Sequence, residues 1–418
     1  MNSRLAGLLA LGLCIWSAQA ADKAFHLKEG DRVVFYGDSI TDQRLYTTFT
    51  ETYAVTRFPK MNVTFVHSGW GGDRVSGGGG GKIETRLERD VFAYKPTVMT
   101  IMLGMNDASY RPFDQGIFAT YTNGYTKIIE SAKSAFPNLR ITVIQPSPFD
   151  DVTRPPNFEG GYNAVLLRYG QFVKELAEQK NLTFADLNTG VVEATKKADA
   201  VDHENAVKLN QDRVHPGPGG QLLMAAELLK AWNAPALVSH VEINASTKKA
   251  NGQRTTVTMT DGDGVLNWTQ MDEALPMHVD LKDPVVALAI KSSDFMEALN
   301  QQTLKITDLP AGNYSLSIGN ESVGEFTAEA LAKGINLAAL NTPMTAQAAQ
   351  VHRYTLQHNE IHFHRWRNVQ LKVSSDLPTL EPALKALDAL EEDIVKLQRR
   401  TAQPNKREYK LQKAEQNI

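Results

Sequence analysis

Residues 33–42 read Val-Val-Phe-Tyr-Gly-Asp-Ser-Ile-Thr-Asp. Four apolar residues without a charge read as a buried strand, and Gly37 turns the chain so that Asp38 and Ser39 stand where a helix begins. A hydroxyl in that position lies beside amides that lack an intrahelical partner. Taken alone, the stretch is accounted for by helix capping from Asp38 or Ser39.

The same texture recurs downstream. Val63 to His67, Val98 to Leu103, Ile141 to Ile144 and Leu182 to Ala185 are further short apolar runs. Between and after them lie longer amphipathic stretches, Ile83 to Val91, Gln115 to Phe136, Tyr162 to Glu178 and Gly220 to Trp232. In the third, Leu166, Tyr169, Val173 and Leu176 recur at helical spacing, and Phe136-Pro137-Asn138 stops the second. Strands alternating with crossover helices predict an α/β domain over residues 21–234. Its parallel sheet is covered on both faces and its chemistry lies at the carboxyl ends of the strands.

Beyond Ala234 the pattern changes. Val241 to Asn244, Thr255 to Met259, Met277 to Val279, Val285 to Ile290, Leu304 to Ile306 and Tyr314 to Ile318 read as short strands broken by turns. They predict a small β-rich module over residues 235–325. Residues 326–418 read as a helical and extended region packing back on the first domain. It comprises helices over Phe326 to Leu340 and Thr345 to Gln357, an aromatic and basic stretch from His362 to Val373, and a charged amphipathic helix from Leu384 to Leu397.

The chain has 418 residues, 42% hydrophobic and 22% charged, with a formal net charge of −3. Such a composition excludes a disordered or fibrous chain, and near-neutral charge without a basic block argues against a nucleic-acid partner. Arg4, the apolar run Leu5 to Trp16 and Ala18-Gln19-Ala20 read as a signal peptide over residues 1–20, which predicts a periplasmic or secreted protein. No later stretch reads as a membrane helix. Cys14, the only cysteine, lies in that leader, so no disulfide or thiolate metal site is expected in the mature chain.

A serine nucleophile needs an imidazole base, and the imidazole needs a carboxylate to hold its tautomer. Asp212-Arg213-Val214-His215-Pro216 supplies both just before the last helix of the domain. The three-residue spacing lets Asp212 accept the His215 Nδ1 proton and leaves Nε2 for Ser39, while Pro216 suits a first helical turn. Acyl transfer also needs donors for the oxyanion. The second strand runs into Gly69-Trp70-Gly71-Gly72-Asp73 and the third into Gly104-Met105-Asn106-Asp107, offering the Gly72 N–H and the Asn106 amide beside the Ser39 N–H. Each loop alone reads as a plain turn. Three successive strand ends, each with the residue type that acyl transfer requires, point to an esterase site.

With these four segments in order, the chain resembles the SGNH hydrolases, the GDSL-like lipase/acylhydrolase family of serine esterases. Gly37-Asp38-Ser39-Ile40 is similar to the first block, with isoleucine where the family motif has leucine. Gly69 to Asp73, Gly104 to Asp107 and Asp212 to His215 are similar to the other three, and His67 stands where an asparagine often opens the second. The resemblance covers about Arg32 to Trp232. It implies a flavodoxin-like three-layer α/β/α sandwich, Ser39 as nucleophile, His215 as base, Asp212 as its orienting acid, and Ser39, Gly72 and Asn106 as the oxyanion hole, with no cofactor.

An exported location and an open site fit O-acetyl groups on a polysaccharide or oligosaccharide, a substrate class that the resemblance also implies. A lipid esterase or thioesterase using the same triad is the alternative, and a non-catalytic carbohydrate-binding envelope protein stands further off. Trp70, Tyr46, Tyr110 and Arg154 lie in or near strand-end connections and are candidate substrate contacts, with Gly77 to Gly81 as a flexible rim. His358, His362 and His364 lack a His-Glu-x-x-His frame. Extended backbone would put His362 and His364 on one face, and packing rather than metal binding is expected of them.

Overall fold

The computed structural model describes residues 24–414, so the segment read as a signal peptide lies outside the described residues. The five apolar runs of the first half form β1 (Arg32–Gly37), β2 (Thr64–Gly69), β3 (Val98–Met102), β4 (Arg140–Ile144) and β5 (Thr183–Ala185). They make one sheet in the order β2-β1-β3-β4-β5, parallel throughout. β3 is buried at every position, which is why it reads as an uncharged run, apolar but for Thr100, rather than an alternation. The chain lays β2 on one side of β1 and β3 on the other, so the carboxyl ends of β1 and β3 flank the crevice where such sheets place their ligands. The expected α/β architecture with a β-rich addition is what the structure shows.

Helix α1 (Ser39–Asp42) follows β1 directly, and α2 (Leu45–Arg57) follows it. Helix α2 is buried on nearly every side, so its threonine-rich sequence carries no amphipathic stripe to betray it. It packs on α3 (Pro218–Ala231) and on the C-terminal helix α4 (Pro343–Phe363).

The second half departs further from the sequence reading. A five-stranded antiparallel sheet runs in the order Thr255–Thr260, Leu266–Asp272, Arg407–Lys413, Asn313–Ile318, Glu321–Thr327. A four-stranded sheet holds Ile335–Asn336, Gln301–Thr307, Leu237–Asn244 and Lys249–Gln253. Val285 to Ile290, expected as a strand, is helical. Asp283 caps Pro284–Lys291 by accepting from Val285 N and Val286 N, and a proline at the first helical position outweighs the apolar run. Met277 to Val279 is irregular, with Met277 N and O both bonded to the Asn300 side chain. In Phe326 to Leu340 the α-helix is confined to Ala328–Lys333 and ends at Gly334, whose φ is +98°.

Strand Arg407–Lys413 enters the middle of the five-stranded sheet, where Leu411 stands between Leu266 and Leu316 and Tyr409 stacks on Trp268 at 5.0 Å. The division drawn after residue 325 therefore does not coincide with a break in the sheet. Helix α4 opens with a Thr342/Thr345 capping box and packs on α5 (Leu380–Thr401). His364–Gln370 continues α4 as a π-helical turn. His358 and His362 thus share a buried face one turn apart, while the His364 side chain is 52% exposed and pairs with Glu360, which corrects the expected pairing of His362 with His364. Among the described residues no helix is long and apolar enough to cross a membrane.

Candidate active site

Ser39 is the first residue of α1, so its N–H has no acceptor within the helix. Asp38 caps the helix, Oδ1 accepting from Ile40 N at 3.0 Å, and burial pushes its carboxyl up to about 7. Helix α1 lies so close to the end of β2 that a side-chain carbon on Gly69 would stand 2.1 Å from Asp42 N. Only glycine lets the second loop pass there.

His215 comes from the loop before α3. Its Nε2 is 2.8 Å from Ser39 Oγ and its Nδ1 is 2.7 Å from Asp212 Oδ2. Asp212 Oδ1 also accepts from Val214 N at 2.9 Å and His215 N at 2.7 Å, and Arg213 takes φ +72°, so a local turn folds the carboxylate back onto the imidazole. Partial burial would raise Asp212, but the hydrogen bonds from the His215 main chain and ring and from Val214 N outweigh it and hold the carboxyl below its ordinary value. An acid held ionised in this way fixes the His215 tautomer.

Helix α3 begins at Pro218 with Gly217 as its cap, so Pro216, expected in the first turn, precedes the helix. Its carbonyl accepts from Gln43 Nε2 at 3.4 Å. Buried Gln221 donates to Gln43 Oε1 at 2.8 Å and accepts from Tyr46 N at 3.0 Å, tying the nucleophile's segment to the helix that follows the base. The sequence reading missed both glutamines. Their one signal was Gln221, a polar residue within the apolar first turns of a helix whose charged residues, Glu227 and Lys230, come later.

The second loop lies against the nucleophile: a side-chain carbon on Gly71 would stand 4.0 Å from Ser39 Cβ. Trp70 N donates to Gly37 O, Gly71 N to Asp42 Oδ2 and Asp73 N to Trp70 O. Gly72, at φ +76°, keeps an N–H that none of these bonds uses among the described residues. Asn106 donates through Nδ2 to Asp73 O at 3.1 Å and accepts at Oδ1 from the Tyr110 hydroxyl at 3.0 Å, which fixes the amide plane and leaves one N–H over. Ser109 and Tyr110 take φ +59° and +54°, consecutive left-handed non-glycine residues costing about 1–2 kcal/mol each. Burial, with the charges of Asp38 and Asp212, pushes the Tyr110 hydroxyl up to about 12, so it remains a donor.

The other candidate contacts are placed differently. Tyr46 is fully buried with its hydroxyl on Thr41 Oγ1 at 2.9 Å, and faces no ligand. The Trp70 ring is covered by Arg367, whose Cζ lies 3.4 Å from the ring centroid, and Gly80 and Arg86 crowd the same indole. The glycine run is a short hairpin pairing Gly77–Gly78 with Gly81–Lys82, not a free rim. Arg154 donates to Gln211 O at 2.7 Å and Asn210 O at 3.4 Å, steadying the loop that carries Asp212. His67 is buried between Thr47 and Glu51.

One missed residue comes from the far end of the chain. Arg367, in the π-helical turn, donates to Gly69 O at 3.2 Å and Asp42 Oδ2 at 3.3 Å, gripping the second loop beside α1. The triad itself is open, with side-chain exposures of 36% for His215 and 57% for Asp212. Among the described residues, the one grouping with metal-ligand spacing, Glu51, His67 and His358, includes no member of the triad.

Residues 35–223 match the GDSL-like lipase/acylhydrolase family. An acetylxylan esterase of Geobacillus stearothermophilus is 26% identical over 219 residues, 48% of this chain and 93% of that protein. A gut microbial diltiazem-metabolizing enzyme of solved structure is 27% identical, with a TM-score of 0.80 over 94% of this chain and 99% of its own, a likeness that extends through the C-terminal half. Over residues 35–223 the chain belongs to the GDSL-like lipase/acylhydrolase family of ester hydrolases, the SGNH hydrolases.

Proposed function

We propose that the protein is an exported serine esterase that removes O-acetyl groups from a polysaccharide or oligosaccharide. The observation that carries this reading is the continuous Asp212–His215–Ser39 relay, with bonds of 2.7 and 2.8 Å, at the carboxyl edge of a parallel sheet. Ser39 Oγ attacks the ester carbonyl while His215 Nε2 takes its proton. Ser39 N–H, Gly72 N–H and the remaining Asn106 N–H hold the oxyanion. The proton on His215 passes to the leaving alcohol, and acetyl-Ser39 is left. Water then attacks with His215 as base, releasing acetate and restoring the serine.

An exposed triad suits a small acyl group carried on a bulky alcohol. The acetylxylan esterase relative supports acetyl as the acyl part and a sugar as that alcohol. The leader-like segment Arg4 to Ala20 supports export.

The test is acetate release from acetylated xylan and p-nitrophenyl acetate by the wild type and by Ser39→Ala. The wild type should be active and the variant slower by at least about 10⁴-fold. Undiminished hydrolysis by Ser39→Ala overturns the assignment. Faster turnover of long-chain esters than of acetates replaces the carbohydrate reading with that of a lipid esterase.

A further inference from the structure

A buried cluster outside the triad joins the two halves of the chain. Glu51 on α2, His67 on β2 and His358 on α4 are 1%, 2% and 3% exposed. One ligand atom from each lies within 4.8 Å of the others. Glu51 Oε2 is 3.0 Å from His67 Nε2, and Glu51 Oε1 is 3.3 Å from His358 Nε2. Each separation, one to either carboxylate oxygen, is close to the roughly 3.3 Å between two donor atoms bound tetrahedrally at about 2.0 Å.

The surroundings hold the donors in place. His67 Nδ1 meets Thr47 Oγ1 at 2.6 Å, and Gln398 Nε2 donates to Glu51 Oε1 at 2.9 Å. His358 Nδ1 is 3.2 Å from Glu391 Oε1, yet among the described residues no acceptor is aligned on it, and buried His362 Nε2 also lacks a partner there. Both Nε2 atoms face one carboxylate, His67 with its Nδ1 held by Thr47, and something positive must sit between them: protons or a metal ion. A cavity of about 790 Å³, lined among others by Glu51, His358, His362 and Glu391, opens onto the cluster and gives both a route in and room for a further ligand.

We infer that Glu51, His67 and His358 bind one zinc ion through the Glu51 carboxylate and the two Nε2 atoms, with the fourth position facing the cavity. Two imidazoles and one carboxylate suit zinc rather than calcium or magnesium, which take mainly oxygen. Glu51 and His67 belong to the α/β domain, whereas His358 arrives after the β-rich sheets, so the ion cross-links α4 to the sheet edge. It does so in a chain whose only cysteine is Cys14.

The test uses the full chain, stripped with a chelator, dialysed against zinc sulfate and washed, with bound metal counted by mass spectrometry. The wild type should retain one zinc per chain, while His358→Ala and Glu51→Gln retain under a tenth of that. Zinc should also raise the melting temperature of the wild type and leave that of His358→Ala unchanged. If neither variant folds, the wild type loaded with Co²⁺ still decides the matter: it should show the visible bands of four-coordinate cobalt without thiolate charge transfer. A folded wild type that retains no zinc and shows no such bands, or a His358→Ala protein that retains as much zinc as the wild type, overturns the inference.

Discussion

Replacing Tyr110 by phenylalanine removes one hydroxyl and leaves the ring stacked on Tyr162 at 5.0 Å. That hydroxyl donates to Asn106 Oδ1 at 3.0 Å, one of the two bonds that fix the amide. The other, Asn106 Nδ2 to Asp73 O at 3.1 Å, is untouched. A neutral hydrogen bond contributes about 0.5–1.5 kcal/mol net, so a less firmly held Asn106 should slow catalysis roughly 2- to 13-fold. The loss should fall on kcat and leave KM unchanged, because the oxyanion contact develops only in the transition state. Asn106→Ala removes the donor itself and should cost about 10²- to 10³-fold. If Tyr110 acts through Asn106, the double variant is no slower than Asn106→Ala, and the coupling equals the whole Tyr110 effect. Steady-state hydrolysis of p-nitrophenyl acetate at neutral pH, far below the Tyr110 value of about 12, measures all four proteins in one protonation state. The same slowing by Tyr110→Phe with and without Asn106, or an effect confined to KM, would refute the argument and place the hydroxyl on the substrate.

Arg367→Ala removes both donors to Gly69 O and Asp42 Oδ2, charge-assisted bonds at a partly exposed site, and should lower stability by about 2 kcal/mol in urea unfolding. The loosened loop should also slow kcat about tenfold, with Arg367→Lys recovering only part of either loss, since lysine cannot reproduce the planar stack on Trp70. Unchanged unfolding and kcat would remove Arg367 from the site. Asp107 accepts from Val75 N through Oδ1, its Oδ2 is buried without a partner among the described residues, and burial pushes its carboxyl up to about 7 from 3.8. The folded chain therefore keeps a proton that the unfolded chain has lost, and this group lowers stability progressively as pH rises from about 4 to 7. Asp107→Asn lacks that penalty, so its stability relative to the wild type should improve by roughly 3 kcal/mol between pH 5 and pH 8. Burial depresses His26 and His352 to about 4, and these act in the opposite sense over part of the window, but equally in both proteins. A pH-independent difference would show Asp107 ionised in the folded state.

What the sequence made legible shares a physical cause. β3 is uncharged and apolar but for Thr100 because it is buried at every position, and Asp212 reaches His215 within a single turn, so each signal is written in a few adjacent residues. The misreadings have partners far away in sequence. Tyr46 sits near a strand end, but Gln221 on α3 holds its N–H, and its hydroxyl points back to Thr41. Trp70 sits in a glycine loop that looks open until Arg367 is laid over it. Strand Arg407–Lys413, charged and short, takes its place between strands that precede it by a long stretch of helix.

The same distant contacts explain why the C-terminal half belongs to the catalytic scaffold rather than hanging from it. The junction between α1 and α2 has to hold Ser39 at hydrogen-bond distance from a base carried on another loop, yet α1 is a single four-residue turn with too few bonds of its own to be rigid. From one side Gln43 and Gln221 link it to α3, next to His215. From the other, Arg44 at φ +59° reaches Asn359 O and Glu360, Asn359 Nδ2 donates to Thr48 at 2.6 Å, and Arg367 binds Asp42. Helix α4 is in turn anchored through α5, where Gln398 reaches Glu51 and Thr355 together. A short helix clamped between α3 and α4 keeps its serine in place only while both are docked, so loss of α4 would reach the nucleophile through the α1–α2 junction without altering any residue of the triad.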